Sequence, residues 1–201
     1  MHYGMTLSPF GPFADPRYLM ELAQAAEAAG WDGFFLWDTV VHDEQGYPLA
    51  EPWTALAAIA AGTTRLRLGV MITPLSRRRP WQVARQVLTL DHLSNGRVIF
   101  GAGLGGAMAD FESFGEETNA KVRAAMLDEG LQIVRGLWSG QPTSFEGNHY
   151  KVAPVHFRPP PIQTNIPIWM GGMWPNRAPM VPNSRPMSQW ASAIGATIAR
   201  I

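Results

Sequence analysis

Cysteine is absent from this 201-residue chain, which excludes disulfides, thiolate metal centres and a cysteine nucleophile. A net charge is absent too, because sixteen Lys and Arg balance sixteen Asp and Glu. Without a basic surplus there is no electrostatic reason to expect nucleic acid or an anionic membrane as partner. No apolar run reaches the length of a membrane span, and Met1 to Phe10 is too short and too uncharged for a secretory leader. These absences predict a soluble, cytoplasmic protein. With 46% hydrophobic residues, it is long enough for one domain with a sizeable core. Acids are also missing from the last quarter: none follows Glu146, whereas Lys151, Arg158, Arg177, Arg185 and Arg200 do.

Proline and tryptophan are plentiful, seventeen and eight. Aromatic rings in loops can wall a pocket for a flat ligand, and Trp37, Trp53, Trp169 and Trp174 are candidates, although most are expected to be core. The segment "HYGMTL" reads as a first strand. Arg17 to Ala29 puts Leu19, Leu22, Ala23 and Ala26 on one helical face, with Gly30 at a C-cap position. "GFFLW" is a second buried strand and "DTVVHDEQGYPLAE" a loop. Pro52 to Ala61 is a helix, "LRLGVMI" a third strand, and Pro80 starts a helix that runs to about Leu93. "SNGR" turns the chain into a fourth strand, "VIFGAG". Asn119 to Trp138 is helical, "FEGNHYKVAPVHFRPPP" a polar excursion, and "IPIWMGG" a fifth strand.

Strand and helix alternating every thirty residues or so predicts βαβ crossovers and a parallel sheet. Gly101, Gly103 and Gly106 stand at the G-x-G-x-x-G spacing of a dinucleotide turn. That fingerprint ordinarily follows the first strand of its unit, with an acid about twenty residues on. Here it follows the fourth strand, and the region where the acid belongs is mid-helix. A nicotinamide-binding fold is therefore disfavoured. The expected class is α/β, a (β/α) TIM-barrel type with about five of eight strands.

Several spaced motifs carry a resemblance: "AAEAAGWDGFFLWD", "EPWTALAAIAAGTTRLRLGVMITP", "RRPWQVARQVLTLDHLSNGR", "GAGLGG" with "DFESFG", "LDEGLQIVRGLWSG", "FEGNHY" and "IPIWMGG". In this order and spacing the chain resembles the bacterial luciferase-like monooxygenase family, from Tyr3 to about Met180. The resemblance implies a TIM barrel, a site at the C-terminal strand ends, and a flavin-dependent oxidoreductase or monooxygenase acting on a small organic substrate. The implied cofactor is FMN, with the deazaflavin coenzyme F-420 as alternative. Asp38 matches the acid ending the second strand, beside the ring, and is the candidate catalytic residue. Met71 and Ile72 fall where the family has a bulge, often with a non-proline cis peptide under the isoalloxazine. Thr73 is placed to hydrogen-bond the pyrimidine side or to cap the turn before Pro74. Gly101, Gly103 and Gly105 would make room for the flat ring.

Arg77, Arg78 and Arg79 either reach a phosphate or decorate a solvated loop. Asp91 with Arg97 is expected to tie a helix end to the next strand, and His149 is a candidate for the mouth of the site. No metal site is expected. The family's usual His after the strand-two acid is Thr39 here, which cannot be a general base near neutral pH. His42 is a possible substitute. The sugar-phosphate dehydrogenase branch carries an acid where Gly106 stands, so both departures favour oxygenation or hydride transfer on another substrate. Residues 1–180 are expected to be a partial barrel and 181–201 an atypical tail, weakly helical from Ser188 to Ile201, as after a truncation. Strands one and five would then have open edges, sites for pairing with a second chain in a homo-oligomer. The alternative function is non-catalytic, a shortened flavoprotein or scaffold that keeps the fold and a dimer face.

Overall fold

A computed structural model describes residues 2–41 and 46–171, and, for backbone pairing alone, 185–186, 191–193 and 196–200. Its strands are β1 (Tyr3–Leu7), β2 (Gly33–Leu36), β3 (Arg67–Val70), β4 (Thr73–Pro74), β5 (Phe100–Gly103), β6 (Thr143–Glu146), β7 (Lys151–Val155), β8 (Ile168–Met170), β9 (Arg185–Pro186), β10 (Ala191–Ala193) and β11 (Ala196–Arg200). The α-helices are α1 (Pro16–Ala28), α2 (Pro52–Gly62), α3 (Pro80–Leu93), α4 (Ala109–Glu112) and α5 (Ala120–Trp138).

The helix starts follow from local chemistry. α1, α2 and α3 each place proline in the first turn, where no intrahelical N–H is needed. Asp15, Glu51 and Asn119 accept backbone N–H groups at the starts of α1, α2 and α5. Between these helices β1, β2 and β3 pair in parallel, and β4, β5 and β8 do likewise. A bridge from Leu68 to Val98 joins the two groups. The result is one parallel wall running through β1, β2, β3 with β4, β5 and β8, which does not close among the described residues. The third strand of the sequence reading is thus two short pieces, β3 and β4, separated by a cis peptide between Met71 and Ile72.

Alternation sorts the side chains of this wall into two faces. Leu7, Phe34, Leu36, Leu68, Val70, Phe100, Ala102, Ile168 and Met170 join the helices in the main core. The opposite, inner face carries a separate cluster of Phe35, Met71 and Ile99, with Trp169 packed on it. Thr6, Phe35 and Gly69 share one row of the ladder on that side.

Four expectations need correction. The polar excursion after α5 is an antiparallel hairpin, β6 with β7. It is pinned where Glu129 of α5 accepts the N–H groups of Asn148, His149 and Tyr150. The stretch Ser188 to Ile201 is not helical where it is described, since β10 and β11 lie in it. β11 pairs antiparallel with β1 and β9 parallel with β8, so the edges expected to be open are covered by the chain itself. The reason is hydrogen-bond demand: an edge of unpaired N–H and C=O groups holds a short segment better than an isolated helix of that length holds itself.

Asp91 and Arg97 do not tie to each other. Asp91 accepts from Ile162 N and Gln163, which fixes the approach to β8. Arg97 donates to the carbonyls of Ala60, Thr63, Leu66 and Ser94, gathering the end of α2 beneath β3. A buried guanidinium with five donors satisfies several helix-end carbonyls at once, which a single carboxylate partner would not.

Candidate functional site at the strand ends

β2 brings Asp38 to the C-terminal edge of the wall, one residue beyond Trp37. Because the backbone ladder continues through the Trp37 N–H to Leu7 O, alternation still holds there. Trp37 therefore shares the inner face with Phe35, and Asp38 follows Leu36 to the helix side.

The Asp38 carboxylate is completely buried and enclosed by two arginines. Arg78 donates Nε to Oδ2 at 2.7 Å and Nη2 to Oδ1 at 2.8 Å, while Arg77 Nη2 donates to Oδ1 at 2.8 Å. Arg78 also reaches Glu51 at 3.0 Å, the residue that starts α2. Burial alone would lower the Arg78 pKa, but the hydrogen bond and charge of Asp38, with help from Glu51, leave it above the ordinary value. Arg77 and Arg78 thus neither reach out to a phosphate nor decorate a solvated loop. Arg79 is exposed at the start of α3.

A second buried acid completes the network. Asp110 in α4 accepts from Thr39 Oγ1 at 2.9 Å, Val40 N at 2.8 Å and Val41 N at 2.9 Å, and lies 3.7 Å from Arg77. It ties the loop after β2 to the loop after β5. The single proton of the Thr39 hydroxyl has two acceptors in reach, Asp110 Oδ1 and Val41 O, so it is engaged within the protein.

Beside this network Thr73 is fully buried, and its Oγ1 has no hydrogen-bond partner among the described residues. The expectation that this hydroxyl caps the turn before Pro74 therefore finds no bond. The glycines act on the bulge itself. A Cβ on Gly101 would strike Val70 O, and one on Gly103 would meet Ile72 at 3.0 Å. Gly105 adopts φ 77° against Pro74 and Phe111. Their missing side chains are filled by the chain's own β3–β4 bulge, which they seat against β5.

Arg123 of α5, like Arg97, is a buried arginine without an acid among the described residues, but its donors are less fully used. It is buried, lies 4.4 Å over the Phe111 ring, and donates to Leu104 O at 3.2 Å. No carboxylate pairs with it among the described residues, and its Nε has no partner there. A buried guanidinium below a glycine-rich loop and without an acid has the donor chemistry of an anion seat.

Asp110 and Arg123 were not singled out in the sequence. For Arg123 a signal exists: it falls on the stripe of Leu127, Gly130, Leu131 and Val134, and an arginine on a buried stripe asks for an explanation. Asp110 has no such mark, since its partners, Thr39, Val40, Val41 and Arg77, lie in loops more than thirty positions away.

The remaining candidates scatter. Trp53 is core, packed on Phe100. His149 is exposed on the β6–β7 hairpin. His42 and Trp174 lie outside the described residues. Two surface depressions, of about 600 Å³ beside Trp138 and Ile168 and about 320 Å³ between Trp81 and Phe157, involve none of the expected site residues. No helix among the described residues is long and apolar enough to cross a membrane.

The model of the luciferase-like monooxygenase family matches residues 2–181. An F420-dependent glucose-6-phosphate dehydrogenase of Microbacterium testaceum is 33% identical over 166 residues, 80% of this chain and 48% of that protein. A Mycobacterium tuberculosis protein of unassigned function is 30% identical over 190 residues, 85% of this chain and 65% of the relative. Among solved structures, the monooxygenase RslO1 from Streptomyces bottropensis superposes with a TM-score of 0.75 at 27% identity, over 85% of this chain and 53% of that one. An F420-dependent secondary alcohol dehydrogenase bound to an F420–acetone adduct gives 0.74 at 27%, over 86% and 53%. The chain therefore spans about half to two thirds of the length of these proteins.

Proposed function

This chain belongs to the luciferase-like monooxygenase family, and we propose that it is a flavin-type oxidoreductase whose cofactor, FMN or the deazaflavin, lies across the C-terminal strand ends. The observation that carries this reading is the buried Thr73 hydroxyl without a partner beside the Met71–Ile72 bulge. A buried polar atom is normally hydrogen-bonded, and a ring carbonyl or ring nitrogen would satisfy it. Arg123 supports the same reading from the other end of the ligand, as a seat for an anionic tail.

The residues would divide the work as follows. Met71 and Ile72 present a flat backbone surface to the ring, held there because Gly101, Gly103 and Gly105 let the bulge sit against β5. Thr73 orients the ring and Arg123 anchors its phosphate or other anion. Asp38 acts through Arg77 and Arg78, keeping the loops after β2 and β4 in register. A bound flavin-type ring supplies two-electron chemistry, and the protein supplies orientation and exclusion of water. Relatives with an F420-dependent name put the deazaflavin beside FMN in a titration, although oxygenation needs FMN, because a reduced deazaflavin passes hydride and reacts poorly with oxygen.

Both finer readings of the reaction stay within this proposal, and oxygenation is favoured. The described acids at the strand ends, Asp38 and Asp110, are buried and already bonded, so neither is placed to take a proton from an alcohol. The test is a fluorescence titration of the purified protein with FMN and with the deazaflavin. Saturable micromolar binding of one ring supports the proposal, with reductant-dependent oxygen uptake expected for FMN and hydride transfer without oxygen uptake for the deazaflavin. A folded protein that binds neither would leave a scaffold without turnover.

A further inference from the structure

Trp37 and Asp38 leave β2 in opposite directions. Asp38, completely buried, turns to the helix side and is consumed by Arg77 and Arg78. Trp37 continues the inner face one step beyond Phe35 and is 44% exposed. The side chain that leaves the second strand toward the inner face is thus an indole and not a carboxylate.

The surroundings share that character. The floor below it is Phe35, Met71, Ile99 and Trp169, with the Phe35 and Trp169 rings 5.9 Å apart. Val40, on the loop that Asp110 holds, is exposed as well. The charges near this edge are cancelled within the protein, as Asp38 and Glu51 take Arg78 and Asp110 lies beside Arg77. Among the described residues the buried guanidinium that lacks an acid and keeps an unused donor is Arg123, which lies under the loop after β5 and is assigned above to the cofactor's tail. A phosphate or carboxylate brought to Trp37 would therefore be desolvated against an apolar wall.

Resting on the reading of the strand ends as the site, we propose that Trp37 is the substrate-facing residue of β2 and that the substrate is a neutral, ring-bearing apolar molecule, not a sugar phosphate. A planar ring stacks on the exposed indole face and covers apolar area that is otherwise wet.

Equilibrium dialysis of the full chain with indole and with a hexose phosphate as probes tests this, alongside FMN and deazaflavin titrations of the same samples. Saturable indole binding is expected, weakened about fivefold by Trp37→Ala and less than about twofold by Trp37→Phe, since one aromatic pair is worth about 1 kcal/mol. Both variants should keep the wild-type circular dichroism spectrum and cofactor affinity. Tighter binding of the hexose phosphate than of indole, or indole binding indifferent to Trp37→Ala, would overturn the proposal while cofactor binding stood. Loss of cofactor binding in the wild-type protein would instead sink the reading of the site as a whole.

Discussion

Arg78 grips Asp38 with two parallel hydrogen bonds, Nε to Oδ2 at 2.7 Å and Nη2 to Oδ1 at 2.8 Å. The fork joins the end of β2 to the loop after β4, and with Arg77 it leaves the carboxylate no free oxygen. Removing one partner of a buried charge pair strands the other in a medium that solvates it poorly. Asp38→Ala should therefore destabilise the fold by about 3–5 kcal/mol, read from urea denaturation. A loss below about 1 kcal/mol would mean that the pair is wet and that Asp38 is free for other work.

Thr73→Val tests the orphan hydroxyl with almost no change of shape. Deleting an unsatisfied buried polar atom should stabilise the cofactor-free protein by about 1 kcal/mol or more. The same variant should weaken binding of a flavin-type ring about fivefold, because one hydrogen bond is lost. Stability and affinity should move in opposite directions.

Arg123→Met separates tail from ring. FMN affinity should fall about tenfold or more, as for a lost charge-assisted bond, whereas riboflavin, which lacks the phosphate, should bind the variant and the wild type alike. An equal loss for both ligands would assign Arg123 to packing over Phe111.

The glycines of the fourth strand should not be equivalent. At Gly101 an added methyl meets the backbone oxygen of Val70, which cannot give way without moving the bulge. Gly101→Ala should cost about 1–3 kcal/mol or more. Gly106, with nothing within 4 Å of such a methyl, should accept alanine within about 0.5 kcal/mol. Thermal melts of the two variants decide it.

Acid should loosen the fold through Glu27 and Glu129. Burial tends to raise the pKa of each, yet backbone N–H bonds win: Arg65, Leu66 and Thr64 on Glu27, and His149, Asn148 and Tyr150 on Glu129. Each folded pKa lies below the ordinary 4.5, so their stabilisation is complete above that value and fades as pH falls through the folded pKa. Glu129→Gln should flatten the acid limb of a stability–pH curve and loosen the β6–β7 hairpin.

Local rules made much of this chain legible. Pro52 and Pro80 marked helix starts, short apolar runs marked the buried strands, and the run through Met71 and Ile72 matched a family bulge that the structure shows as a cis peptide. Helix starts and strands depend on neighbours within a few residues, so the sequence by itself determined them, whereas the bulge was legible through the family resemblance and is seated by glycines about thirty positions away. The sequence also determined the family, because that lies in the order and spacing of motifs. Tertiary structure alone decided which way the polar groups face. Asp38 looked like a residue of the site, but the two arginines that enclose it come from a loop about forty positions away. Asp110 and Thr39, seventy-one positions apart, meet only when β2 and β5 enter one wall. The glycines of "GAGLGG" looked like empty space, and folding filled that space with the bulge. The direction of a side chain at a strand end is set by which distant charge satisfies it, and a linear pattern contains no record of that distance.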